Sequence, residues 1–284
     1  MPVNTIDLHI HSNHSDGAYS PQEIVRIAEK KGLRAIAVAD HDTISHIKPV
    51  LSAGEGASLD VLAGVEVSAE FRGGTMHILG YFVDPDNNEL YDMLNRFREG
   101  RDERNPQIIE KLNALGIMID YEEVLQEAAG MSIGRPHIAR VLVNKGVVSN
   151  MQEAFDKYLK KGAPAYVNRV RFSSQKIISV IKSAGGLAFL AHPKQLNMTD
   201  IKDLTALVEK LVHEGLDGIE VYSSCHTAED IRTYETLTRT YDLLVCGGSD
   251  FHGISKPDIA MGFIGEGIEL DYQIVEKMKA RLKK

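Results

Sequence analysis

The sequence predicts an α/β fold, a largely parallel sheet closed into a barrel or left open and doubly wound, with an all-helical segment inserted into it. Three observations predict it. Seven short apolar runs read as strands, most of them are separated by helix-sized segments, and the strand signals vanish between about Asn88 and Val167.

TIDLHIH is the first strand. The following SPQEIVRIAEKKG carries helix punctuation, with Ser20 as N-cap, Pro21 at the first helical position and Gly32 as the stop. AIAVAD, VLAGVEVS and MHILGYFV are the next three strands. Helical patterns then take over in ELYDMLNRFREGRDERNPQIIEKLNALG, GRPHIARVLVNKG and NMQEAFDKYLKKG. Residues 88–167 are therefore read as a helical subdomain inserted into a barrel domain made of 1–87 and 168–284. Strands return as LAFLAH, DGIEVYS and LLVCGGSD, and YQIVEKMKARLKK closes the sequence as a helix.

A chain of 284 residues, 43% hydrophobic and 25% charged, has the composition of a globular protein with a sizeable core. The first residues lack the basic and apolar regions of a signal peptide, and no stretch approaches the ~18 apolar residues of a membrane span, so a cytoplasmic protein with no membrane partner is expected. Cys225 and Cys246 form neither a CxxC pair nor a disulfide framework. The net charge of −8 argues against long duplex nucleic acid as a partner. Locally the balance reverses. Residues 133–171 hold eight basic and two acidic side chains, which points to a small anionic ligand.

The polar residues at the strand ends carry the chemistry. His9 and His11 end the first strand, Asp40 and His41 the second, Glu66 the third. His77 lies in the fourth, His192 ends the fifth, and Asp250 and His252 follow the seventh. In β/α architectures the carboxyl ends of strands share one rim, so these scattered residues converge. Imidazoles and carboxylates gathered in this way suit Zn, Mn or Fe, whereas Mg prefers oxygen. A lone strand histidine is more often a core or surface residue, but HxH followed by SDG is not a lone histidine.

DLHIHSNHSDG, AVADHDT, GVEVSAE, HILGYF, LAHP and GGSDFHG, in this order, resemble the motifs of the PHP (polymerase and histidinol phosphatase) superfamily. The resemblance implies a distorted seven-stranded (β/α)7 barrel with three divalent metal ions. His9, His11, Glu66 and Asp250 would hold the first ion. Glu66 would bridge to a second held with His77 and His192, and Asp16, His41 and His252 would hold the third. No side-chain nucleophile is then required, since a metal-bridging water that has lost a proton attacks phosphorus in line. The sequence also lacks a P-loop pattern and a GxSxG elbow.

Other residues support the site or are bland. Asp40 either orients a ligand from behind or is a strand-end turn residue. His14, His46 and His213 read as exposed. Arg135 and His137, at the start of the GRPHIARVL helix, make a plausible phosphate clamp because a helix N-terminus offers free N–H groups. Arg169, Lys194 and His226 are further candidates for substrate contact. The insertion with GRPHIA resembles small PHP phosphoesterases that act on nucleotide phosphates and short oligoribonucleotides. It implies a nucleoside 3′,5′-bisphosphate as substrate, with 5′-to-3′ trimming of short RNA beside it. Histidinol-phosphate phosphatase is the enzymatic alternative. A metal-bound regulatory or polymerase-associated module without catalysis is the alternative of another class.

Overall fold

A computed structural model describes residues 5–128, 133–168, 170–265 and 268–283. Arg169, one of the expected substrate contacts, lies outside them. The seven expected strands form, as β1 (Ile6–Ile10), β2 (Ala35–Val38), β3 (Asp60–Ala69), β4 (Met76–Tyr81), β5 (Leu187–Leu190), β6 (Gly218–Ser223) and β7 (Leu244–Gly248). They make one sheet in sequence order. The end of β7 returns to β1, where the Asp250 N–H donates to the His9 carbonyl and the His11 N–H to that of Phe251, both at 2.9 Å. The result is a nearly closed barrel.

The sheet is not wholly parallel. β4 runs antiparallel to both β3 and β5. The connection from β3, residues 70–75, is too short for a parallel crossover, which needs a dozen or more residues, so the chain turns back as a hairpin. This reversal has a consequence for the site. His77 sits near the start of β4, opposite Ser68 near the end of β3, and so reaches the same rim as the carboxyl ends of the parallel strands.

Alternation along the strands divides the core. Ala35 and Ala37 of β2, with Ala39 just after it, cluster with Leu8, Tyr81 and Phe189, whereas Ile36 and Val38 pack with Ile24, Val25 and Ala28 of α1 (Pro21–Lys30). The small alanines leave room for the Tyr81 and Phe189 rings inside the barrel. In β1 the register slips between Asp7 and Ile10. Leu8 belongs to the first cluster and Ile10 to the second, so the strand changes parity just where His9 must turn towards the rim. The start of α1 follows its sequence signals, with the Ser20 hydroxyl capping the Glu23 N–H and the Glu23 carboxylate reaching back to Ser20.

The chain divides into two compact units, Met1–Leu94 with Arg171–Lys284, and Asn95–Val170. α3 (Asn88–Ala114) crosses the boundary. The second unit is helical, built from most of α3 with α4 (Tyr121–Ala128), α5 (Arg135–Asn144) and α6 (Met151–Ala154), which runs into one π-turn, Phe155–Leu159. Its own core holds Ile108, Leu112, Val124, Ile138, Leu142 and Leu159. Four of the eight basic side chains in residues 133–171 are paired with acids, two of which lie outside that window. Arg140 meets Glu127, Lys145 meets Glu123, Lys157 meets Glu153 and Lys160 meets Asp156 at 2.5–3.3 Å, so the net positive count overstates the field. Among the described residues no helix is long and apolar enough to cross a membrane.

Asp7 joins the closing strands from a fully buried position. Its carboxylate accepts the Ser249 N–H at 2.9 Å, the Ser249 hydroxyl at 2.6 Å and the Gly262 N–H at 2.8 Å. Burial pushes its pKa up, and these hydrogen bonds oppose that. Asp7→Ala strands several buried donors at once, each typically costing about 1–3 kcal/mol. Equilibrium urea unfolding should therefore show a loss on the order of 3–5 kcal/mol. A loss below about 1 kcal/mol would mean that the barrel does not depend on this closure.

Candidate metal centre

The rim gathers all nine residues expected as ligands into overlapping groups. His11, Asp16, His41 and His252 form one; His9, His11 and Asp250 another; His9, Glu66 and His192 a third; His41, Glu66 and His77 a fourth. Within each group one ligating atom per residue lies within 4.8 Å of the others. Glu66 is fully buried at the centre. Its Oε1 stands 2.7 Å from His77 Nδ1 and 2.8 Å from His192 Nε2. Its Oε2 faces His9 Nε2 and His11 Nε2, each at 3.3 Å, and His41 Nδ1 at 2.9 Å.

Asp250 completes the side towards β1, with Oδ1 3.1 Å from His11 Nε2. Its backbone φ of +59° is unusual for a residue with a side chain, and His192 is likewise held at φ +22°. Asp16 is half-exposed and stands at the mouth, 3.3 Å from His252 Nε2 and 3.8 Å from His41 Nε2.

Charge is crowded here. Burial holds His11 at about 4, reinforced by the nearby His252 and His41. Burial acts the same way on His41, but Glu66 and Asp16 outweigh it and push that ring up to about 10. Burial alone would raise the pKa values of Glu66 and Asp250. The imidazoles around them win, and both carboxyls are held well below the usual range.

These residues fit divalent cations, as the buried nitrogens indicate. His9 Nε2, both nitrogens of His11, His252 Nε2 and Glu66 Oε2 are buried without a hydrogen bond. Buried polar atoms in a stable core normally have partners, and a metal ion is a partner that neutral imidazole nitrogens and carboxylates can share. The donor set is that of Zn, Mn or Fe.

Behind the nine candidate ligands stand further buried polar groups. Asp40 is fully buried and accepts the Ser12 N–H at 2.6 Å, the Ser12 hydroxyl at 2.5 Å and the Ser15 hydroxyl at 2.7 Å. It thus holds the Ser12–Ser15 turn that precedes Asp16. His46 was expected to be exposed and is fully buried. Its Nε2 lies 3.0 Å from the carbonyls of Val38 and Gly64, and its Nδ1 lies 3.0 Å from Asp40, so it ties β2 to β3 behind the rim. Two further residues escaped sequence reasoning. Glu220 of β6 holds His9 Nδ1 at 2.8 Å, and Lys256 sits 3.0 Å from Asp250 Oδ2. Glu220 had a legible signal, a lone carboxylate inside the apolar run GIEVYS.

The expected substrate contacts are less uniform. Lys194 pairs with Asp230 at 2.9 Å, and Asp230 also caps the helix Ala228–Thr240. His226 donates from Nδ1 to the Val221 carbonyl at 2.9 Å, and its Nε2 is buried without a hydrogen bond. In the helical unit, Arg135 donates to the Leu159 carbonyl at 3.0 Å. His137 Nδ1 accepts the Gly134 N–H at 3.0 Å, as part of the α5 cap.

The family model described as PHP domain matches residues 7–167. The chain belongs to the PHP domain family. It is 35% identical over 87% of its length to a 3′,5′-nucleoside bisphosphate phosphatase of Chromobacterium violaceum, 87% of which is covered. A 5′-3′ exoribonuclease of Haemophilus influenzae is also 35% identical, over 87% of this chain and 89% of that one. Among solved structures, a Bifidobacterium adolescentis protein assigned as a metal-dependent phosphoesterase superposes with a TM-score of 0.82 at 30% identity, over 97% of this chain and 96% of that one. The PHP domain is thus a metal-dependent phosphoesterase built on an α/β barrel.

Metal should stabilise this barrel measurably, because it binds only the assembled rim. An ion at ~100 times its Kd adds about 2.7 kcal/mol. For a chain of this size that corresponds to a rise in Tm of roughly 5–10 °C when Mn2+ or Zn2+ is added to chelator-stripped protein. An unchanged unfolding curve would contradict a metal centre at the rim.

Proposed function

We propose that three divalent cations occupy the rim and that the enzyme removes a phosphate from a small nucleotide of the nucleoside 3′,5′-bisphosphate class. In the proposed assignment His9, His11, Glu66 and Asp250 hold one ion. Glu66, His77 and His192 hold a second, and Asp16, His41 and His252 a third. The observation that carries it is the division of Glu66. One oxygen faces His77 and His192 while the other faces His9, His11 and His41, a division between two sides that suits a carboxylate shared between two ions.

When bound, such ions supply an activated water and neutralise the charge of the reacting phosphate. The protein's own contribution is position. Asp40 sets the Ser12–Asp16 turn. The backbone bonds between β7 and β1 fix Asp250 beside His9 and His11. Lys256, on the outer oxygen of Asp250, keeps a positive charge at the edge where a phosphate would arrive.

The substrate class draws on the named relatives. A nucleotide phosphatase and an exoribonuclease at 35% identity both favour a substrate with a phosphorylated ribose, and short RNA trimmed from its 5′ end is proposed as a second substrate of the same site. The net charge of −8 disfavours long duplex nucleic acid. Arg135 and His137 are retained as proposed anion contacts of the helical unit.

With Mn-loaded protein, kcat/KM for a nucleoside 3′,5′-bisphosphate should exceed that for the matching monophosphate at least ~10-fold, equivalent to about 1.4 kcal/mol in the transition state. Equal rates on the two nucleotides, or a preference for histidinol phosphate, would overturn the substrate assignment and leave the phosphoesterase class intact.

A further inference from the structure

We propose that Glu220 is a positioning residue of the metal centre, fixing the tautomer of His9 and the backbone of His192 with one carboxylate. The proposal rests on the ligand set given above. β6 supplies no proposed ligand, yet it lies between β5, which leads to His192, and β7, which leads to Asp250. At its middle Ile219 and Val221 are fully buried among apolar groups, and between them stands Glu220, also fully buried.

Both oxygens of Glu220 are engaged. Oε1 lies 2.8 Å from His9 Nδ1, and Oε2 accepts the His192 N–H at 2.7 Å. A carboxylate only accepts, so His9 must carry its hydrogen on Nδ1. The lone pair then falls on Nε2. That nitrogen faces Glu66 Oε2 at 3.3 Å and Asp250 Oδ1 at 3.8 Å and has no hydrogen bond. One side chain thereby aims the His9 lone pair into the centre. Its other oxygen holds the peptide of His192, whose φ of +22° needs such a restraint.

A purely structural role predicts that Gln would serve almost as well, since it has the same shape. Positioning predicts the opposite, for a reason of donor and acceptor count. The His192 N–H is a fixed donor, so the Gln carbonyl must accept it and the Gln NH2 must face His9 Nδ1. His9 Nδ1 then becomes an acceptor and its hydrogen moves to Nε2. A protonated nitrogen cannot ligate a metal.

The test compares native protein with Glu220→Gln and His9→Ala, each loaded with Zn2+. Metal content and affinity are read by chelator competition and elemental analysis, and imidazole N–H signals by NMR of histidine-labelled protein. Glu220→Gln should weaken one ion about 10- to 100-fold, the usual scale for a residue behind a ligand, while the stripped variant keeps the native circular dichroism. The native protein should show a hydrogen-bonded His9 Nδ1–H signal, assigned by its loss in His9→Ala, and Glu220→Gln should lack it. If His9→Ala loses an ion and Glu220→Gln binds the native complement at native affinity, the role of Glu220 is refuted and the ligand set stands. If His9→Ala keeps every ion, the ligand set itself fails. Should Glu220→Gln not fold, the native spectrum alone decides, because a His9 hydrogen found on Nε2 in the Zn-loaded protein overturns the proposal.

Discussion

Glu66 is fully buried, and its two oxygens stand within 3.3 Å of nitrogens from five histidines, His9, His11, His41, His77 and His192. Few arrangements are as costly to assemble. Each imidazole surrenders water, and each unpaired buried nitrogen forgoes a hydrogen bond. The remaining features of the barrel can be understood as means of holding these groups together until cations compensate them. Strand ends converge, β4 reverses to deliver His77, and β1 slips register to turn His9.

The supporting residues work by the same logic on a smaller scale. Asp7 ties β1 to the segment after β7, Asp40 ties β2 to the Ser12 turn, and His46 ties β2 to β3. Each is a buried polar group whose hydrogen bonds cross from one element to the next. Stability and function are therefore not separable at this rim. The groups that close the barrel are neighbours in sequence of the groups that face its mouth, Asp7 beside His9 and Asp40 beside His41.

Much of this was legible in the sequence because its signals are local. The seven strands, the Ser20 cap and the residues on the strand ends are written in runs of fewer than a dozen residues. What was missed depends on pairing between distant segments. The antiparallel course of β4 follows from a short connection that the alternation of strands and helices obscured. His46 looked like a loop residue, and only the approach of β3 buries it. The basic count of residues 133–171 ignored Glu123 and Glu127, which lie outside that window in sequence and against it in space. Glu220 carries a signal, a lone carboxylate in the apolar run GIEVYS, but its role appears only beside His9 on β1.

The central claim is that the rim is a cluster of cation sites organised by Glu66. Diffraction from crystals of the Mn-loaded protein, collected at the manganese absorption edge, tests it most directly. Three anomalous peaks are predicted, two of them flanking the Glu66 carboxylate and the third beside Asp16, His41 and His252. A single peak, or peaks away from Glu66, would contradict the account.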